Sequence, residues 1–396
     1  MPERQRYRCV DPARKFHRFT PLLSRQVTGQ GICDTCESKV GTHQGPVIGR
    51  RYAIPLREVA AAFVAVGQGA SYAGAADRAR GAAGRPRLGS DRGGQLVAEW
   101  LDVLAPVVLK ATGETQWPSV LILDSTRFMD SNPHLMHPQM AFNVLAAYGY
   151  PDLQTGPNKG ARVWALMASH NAGIADWERF LRQLDITIPP ELIIADGAQP
   201  IAQAIRKVWP LTVVNAPPIP RPFIFRCEYH LANNALEKIR QDLFPGLSAA
   251  ASKSLLANGN ALTAKLKVAF RDTAGWNDFT GSLAGYPLTQ AWVASVRKEV
   301  SDQVAVRHLL KDHRTTSAIE VHIGKIRDFL DSRTFVLRNR DRLNQTLGLI
   351  RLHLNRTDHE RAYLNWLRQA LEDGNGWAPK QRTKADNKWQ IASLRR

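Results

Sequence analysis

Residues 119–126 read SVLILDST, and residues 191–197 read ELIIADG. In each, an apolar, β-prone run (Val120 to Leu123, Leu192 to Ile194) leads to an aspartate, Asp124 or Asp196, followed by small or polar residues. The pattern predicts two buried strands, each delivering a carboxylate at its carboxyl end. A third acid, Glu320, lies in RTTSAIEVHIGKIR (residues 314–327), where Ile319, Ile323, Ile326, Phe329 and Leu330 recur at helical spacing after a Thr-Thr-Ser start. A single acid at a strand end is ordinarily a helix cap or a salt-bridge partner. Three acids in three such settings point instead to a shared site.

Outward from these stretches, Phe142 to Ala147 and Val163 to Ala168 read as further strands, and a helix carries Trp177, Phe180 and Leu184. Ala198 to Trp209 reads as an amphipathic helix, and Phe223 to Phe225 as a short strand leading to Cys227-Glu-Tyr-His230. Strands alternating with helices predict an α/β layer fold. From about Leu231 to Arg314 the pattern is almost wholly helical, so residues 231–314 are expected to form a helical domain inserted between Asp196 and Glu320. The core would then comprise residues 117–230 and 315–372, with helices over Leu347 to Leu354 and Tyr363 to Leu371, followed by a basic tail at 373–396.

Ahead of the core, residues 55–112 are patterned as helices. Val59, Phe63 and Val66 share one face, Gly67 to Gly69 interrupt it, and Ser71 is placed to cap a second helix through Arg80. The stretch GAAGRPRLGSDRGG (81–94) leads into a third amphipathic helix from about Gln95 to Leu109. This is the pattern of a helix-turn-helix DNA reader, and equally of a plain helical bundle with a glycine kink. Residues 1–50 are polar and turn-rich. Cys33-Asp-Thr-Cys36 has metal-ligand spacing, and with Cys9 and either His43 or His17 it would complete a Cys₃His zinc site; the alternative is a set of reduced, metal-free thiols.

The chain has 396 residues, 44% of them hydrophobic, which is enough for two or three domains and a sizeable core. Its formal charge of +18, from 53 basic and 35 acidic residues, favours a polyanionic partner, with nucleic acid the first expectation and an anionic membrane surface the second. No run reaches the roughly 18 apolar residues of a membrane span, and MPERQRYRCV has no apolar signal core, so a cytoplasmic location is expected. Four cysteines in a chain of this length do not make a disulfide scaffold.

LILDST, IIADGAQPIAQAIRKVWP, RCEYHL and TTSAIEVHIGKIR, in this order and spacing, resemble the successive blocks of the Mutator-type DDE transposases of bacterial insertion sequences. The resemblance covers roughly residues 118–355. It implies a ribonuclease H-like catalytic core with two acids on strands and one on a helix, an all-helical insertion, and a homo-oligomer that acts on double-stranded DNA at element ends and target, in a bacterial, nucleoid-associated setting. It implies too that Asp124, Asp196 and Glu320 hold Mg²⁺ or Mn²⁺, Asp124 bridging two ions and the other acids each completing one. Such a pair, about 3.5–4 Å apart, activates the attacking oxygen and neutralises the leaving one. In that family a Cys or Asp, two residues and a His follow the second Asp, and Cys227 and His230 match those positions. The chain departs from the family after the third acid, where Glu320 is followed by Val321 and His322.

Cys227 and His230 are one helical turn apart and can face the same way. They are expected to support the acids or contact DNA, with metal ligation and core packing as alternatives. Arg206, Lys207, Arg314, Lys325 and Arg327 flank the acids and are candidate DNA contacts, or solvated faces. Trp276 and Trp292 are expected to be core residues of the helical insertion, with stacking on a flipped base as the alternative. Three functions are compatible with these features: a transposase that cuts and joins DNA, a domesticated DNA-binding regulator without catalysis, and a nuclease that only hydrolyses.

Overall fold

The fold, taken from a computed structural model, is described for residues 54–84, 89–130, 139–152, 160–210, 222–248, 261–309, 315–331 and 339–372, and for short strands nearer the start of the chain. Three antiparallel strand pairs occupy the first 55 residues: Tyr7–Arg8 with Arg18–Phe19, Gln30–Ile32 with Lys39–Thr42, and Val47–Ile48 with Ile54–Pro55. Cys9, His17, Cys33, Cys36 and His43 lie outside the described residues, as do Arg314 and the 373–396 tail.

The centre of the molecule is an open, mixed five-stranded sheet: β1 (Val120–Asp130), β2 (Gln139–Tyr150), β3 (Arg162–Ser169), β4 (Leu192–Ala195) and β5 (Phe223–Arg226). Its order is β5-β4-β1-β2-β3, with β1, β2 and β3 an antiparallel meander and β4 and β5 parallel to β1. Twelve α-helices among the described residues surround it, so the α/β expectation holds at the level of a mixed α/β fold.

Because side chains alternate across a strand, the two faces of the sheet acquire separate cores. Leu121, Leu123, Ile193 and Ala195 face one way and meet Trp177, Phe180 and Leu181 of α4 (Ile174–Leu181) and Ile201, Ala204 and Ile205 of α5 (Gln199–Val208). Val120, Ile122, Leu192, Ile194 and Phe225 face the other way and meet Ile319 of α10 (Ser317–Asp331). That second face continues through Phe128, Phe142 and Val144 to Ile326 and Leu330 of α10 and Leu343, Leu347 and Ile350 of α11 (Arg340–Leu354). Leu184, expected inside the helix of Trp177, lies past its end; α4 closes at Leu181, and Leu184 packs against the same core from the following turn.

Side-chain amides from helices and a helix cap bond part of each outer strand of the sheet. On the β3 edge, Asn355 accepts from the Val163 N–H and donates to its carbonyl, each at 2.9 Å, and Asn344 accepts from the Ala168 N–H at 2.8 Å. On the β5 edge, Gln303 does the same to Arg226, accepting from its N–H and donating to its carbonyl, each at 3.0 Å. Gln303 belongs to α9 (Pro287–Val306), which with α6 (Glu228–Leu243), α7 (Ala261–Ala269) and α8 (Thr273–Gly281) encloses a third core. Trp276 is 2% exposed within that core, between Phe270 and Phe279, and Trp292 packs on its margin. Of the two readings of these tryptophans, Trp276 takes the core one.

The leading helices are α1 (Leu56–Gly67), α2 (Tyr72–Ala82) and α3 (Ser90–Ala111). Ser71 caps α2 by accepting from the Gly74 N–H. The third helix begins five residues earlier than the Gly-rich stretch predicts. Gly93 and Gly94 are inside it because α3 passes close to α2 there: a Cβ on Gly93 would lie 3.1 Å from that of Ala76. These helices share one core with α11 and α12 (Glu360–Glu372), through Leu349, Leu352, Tyr363 and Leu367. A bidentate Arg342–Asp102 ion pair and a Tyr72–Thr346 hydroxyl contact tie α3 and α2 to α11.

Candidate active site

Leu123 and Ala195 are partners in register on the parallel strands β1 and β4, and each is followed directly by an aspartate. By alternation, Asp124 follows Ile122, and Asp196 follows Ile194, onto the face of the sheet covered by α10. Ile319 seats the start of α10 against these same residues, and so brings the neighbouring Glu320 towards the two aspartates. The two aspartates therefore come from adjacent strands and the glutamate from the helix packed on them.

Asp124 does not end its strand, as the sequence predicts. β1 continues to Asp130, because residues 125–130 pair with β2. What stops at Leu123 is the parallel pairing with β4, whose last residue is Ala195. Beyond that point β1 has a partner on one side only, and Asp124 sits where the sheet opens. Asp124 accepts from the N–H of Ser125 at 2.7 Å, and Asp196 from that of Ala198 at 2.7 Å. The second bond closes a turn into α5 through Gly197, whose φ of +88° is in the left-handed region. That φ favours glycine, and the Arg226 guanidinium lies in the space a β-carbon would take.

The acids share an electrostatic field. Burial raises the Asp124 carboxyl to about 6, the Ser125 N–H opposes this, and the neighbouring Asp196 and Glu320 charges raise it further while His230 lowers it. Among the described residues, no lysine or arginine forms an ion pair with any of the three acids. Nor, among the described residues, is any group of three or more His, Cys, Asp or Glu side chains placed to hold a metal ion.

Cys227 and His230 stand beside the acids, at the start of α6. The Cys227 N–H donates to the Ala195 carbonyl at 2.7 Å, which fixes the helix start to the end of β4. Cys227 is fully buried. Burial pushes its thiol up, but hydrogen bonds with His230 and Thr316 outweigh this and leave it below its ordinary value. The His230 imidazole is raised, first by its hydrogen bond with Cys227 against the effect of burial, and further by the charges of Cys227, Asp196 and Asp124. His230 thus stands beside the two aspartates with its protonated form favoured.

The sequence reading missed Thr316. It is fully buried, its hydroxyl donates to Glu320 Oε1 at 3.0 Å, and its N–H donates to Cys227 Sγ at 3.3 Å. The Thr-Thr-Ser start of the helix was its only trace in the sequence.

The candidate DNA-contacting cations divide. Arg206, Lys207 and Lys325 are exposed, Lys207 lying 3.9 Å from Glu178. Arg327 donates to Thr126 Oγ1 at 2.7 Å and so also fastens α10 to β1. No protein-family model matches the chain, and no curated protein matches it significantly. Among the described residues, no helix is long and apolar enough to cross a membrane.

Proposed function

We propose that the chain is a DNA transposase of the Mutator-type DDE kind, with a ribonuclease H-like catalytic core into which the helices α6–α9 are inserted. The observation that carries this reading is the placement of Asp124 and Asp196 directly after a registered pair on adjacent parallel strands, with Glu320 on the helix packed across them. The β5-β4-β1-β2-β3 order, with β2 antiparallel, supports the same reading. Fold alone would not carry a function, because one fold serves many reactions.

The three carboxylates are oxygen donors of the type Mg²⁺ and Mn²⁺ prefer. Their partial burial, without ion pairing to described lysines or arginines, is the electrostatic situation a divalent cation relieves. Asp124, Asp196 and Glu320 would hold the metal, and water and substrate phosphate oxygens would complete its shell. Bound there, a pair of divalent ions supplies an activated attacking oxygen and a neutralised leaving oxygen. The chain's own residues set the geometry: the sheet fixes the aspartates, Thr316 holds Glu320, and His230, its protonated form favoured, stands at the edge of the site.

Arg206, Lys207, Lys325 and Arg327, with Arg314 beyond the described residues, would lead the DNA backbone to the acids. Helices α1–α3 and the Cys9, Cys33, Cys36 and His43 module, zinc-bound, would recognise element ends, and a homo-oligomer would pair two ends. The test is a strand-transfer assay on DNA carrying the element's flanking ends, with Mg²⁺ or Mn²⁺. Asp124→Asn, Asp196→Asn and Glu320→Gln should each abolish joined product while retaining end binding. Joining by Asp124→Asn at the wild-type rate would sink the proposal. Hydrolysis without joining identifies a nuclease, and end binding without metal-dependent chemistry a regulator.

A further inference from the structure

We infer that Thr316 is a positioning residue that locks the third acid, Glu320, to the Cys227–His230 turn, so that the start of α10 and the start of α6 present one rigid edge to the metal. The inference rests on the reading of Asp124, Asp196 and Glu320 as the metal-holding acids.

Thr316 immediately precedes α10, and its carbonyl accepts from the Ile319 and Glu320 N–H groups at 2.9 and 3.1 Å. A threonine here would ordinarily cap the helix by accepting a first-turn N–H on its side-chain oxygen. This hydroxyl does something else. It donates to Glu320 Oε1 at 3.0 Å, and its oxygen lies 3.4 Å from Cys227 Sγ and 3.5 Å from His230 Nδ1. A hydroxyl has one proton and two lone pairs. The contact to the carboxylate is the shortest of the three, and the thiol and the imidazole stand beside the same oxygen.

The Thr316 N–H independently reaches Cys227 Sγ, so two contacts from one residue converge on the sulfur. Cys227 is itself anchored to β4 through the Ala195 carbonyl. A continuous chain of contacts therefore runs from the strand that bears Asp196, through Cys227 and Thr316, to Glu320. Glutamate has three side-chain torsions, and ordering them on metal binding costs affinity unless the carboxylate is already held. A buried hydroxyl that holds it supplies the kind of support whose loss typically lowers metal affinity 10–100-fold.

The test uses the full chain and Mn²⁺ alone, with bound ion measured by electron paramagnetic resonance. Thr316→Val keeps the shape and removes the hydroxyl; Thr316→Ser keeps the hydroxyl and removes the methyl. Mn²⁺ affinity should fall about tenfold or more in Thr316→Val and stay within roughly threefold of wild type in Thr316→Ser, with end-DNA binding unchanged in both. If Thr316→Val fails to fold, Thr316→Ala against Thr316→Ser makes the same comparison. Wild-type Mn²⁺ affinity in the hydroxyl-free variant overturns the inference, as does equal loss in the serine variant. Glu320→Gln separates the two levels: if it too binds Mn²⁺ like wild type, the reading of the acids fails, whereas loss there without loss in Thr316→Val sinks only the role of Thr316.

Discussion

Asp124 is held in the folded protein at a cost, and the cost has a sign that can be measured. Its carboxyl titrates near 6 in the fold, against 3.8 for an unperturbed group. The folded state thus binds the proton more tightly than the unfolded chain does. The stability contribution of this group is highest below pH 4, and it falls as pH rises through about 6. The difference corresponds to at most about 3 kcal/mol. Asp124→Asn, which cannot ionise, should therefore be more stable than wild type by about 1–3 kcal/mol at pH 7.5 without divalent ions. At about pH 3, below both values, the two should converge. Urea unfolding at the two pH values checks this, and a variant less stable than wild type at pH 7.5 would contradict it. The sequence already marked this residue, since an apolar run leading to an acid is a local pattern. It could not mark Thr316, whose partners Cys227 and His230 lie 89 and 86 positions away.

The elements that carry the acids were legible for a physical reason: Val120 to Leu123, Leu192 to Ile194, and Ile319 and Ile326 of α10 are buried, and burial imposes periodicity. The second half of β1 was not. Residues 125–130, STRFMD, show no apolar run, and they are extended because β2 pairs with them rather than through their own propensity. The early start of α3 was hidden for a related reason: its glycines read as a linker until the neighbouring Ala76 gives them a packing role. Gln303 was equally silent, yet it joins α9 to the sheet. It is 1% exposed and satisfies both backbone groups of Arg226. Gln303→Leu should cost about 2–4 kcal/mol in denaturant unfolding, because it strands a buried donor and acceptor. A change below about 0.5 kcal/mol would show that water replaces the amide at no loss.

For the molecule as a whole, the charge of +18 predicts that affinity for DNA, the proposed partner, falls with salt. Each phosphate neutralised contributes about 0.9 to the slope of log affinity against log salt concentration. Replacing exposed Arg206 and Lys207 together by glutamine should lower that slope by up to about 2. Equilibrium binding over 50–200 mM salt reads it, and an unchanged slope would remove this pair from the DNA path. The sheet edges bear on assembly too. A β-sheet with open margins invites a second copy to continue the ladder across the molecular boundary. Here Asn344 and Asn355 bond Val163 and Ala168 on one margin and Gln303 bonds Arg226 on the other, so some of the hydrogen-bonding positions an incoming strand would need are already taken. An assembly of copies of this chain is therefore expected to form through helices and loops, with each sheet kept within its own subunit.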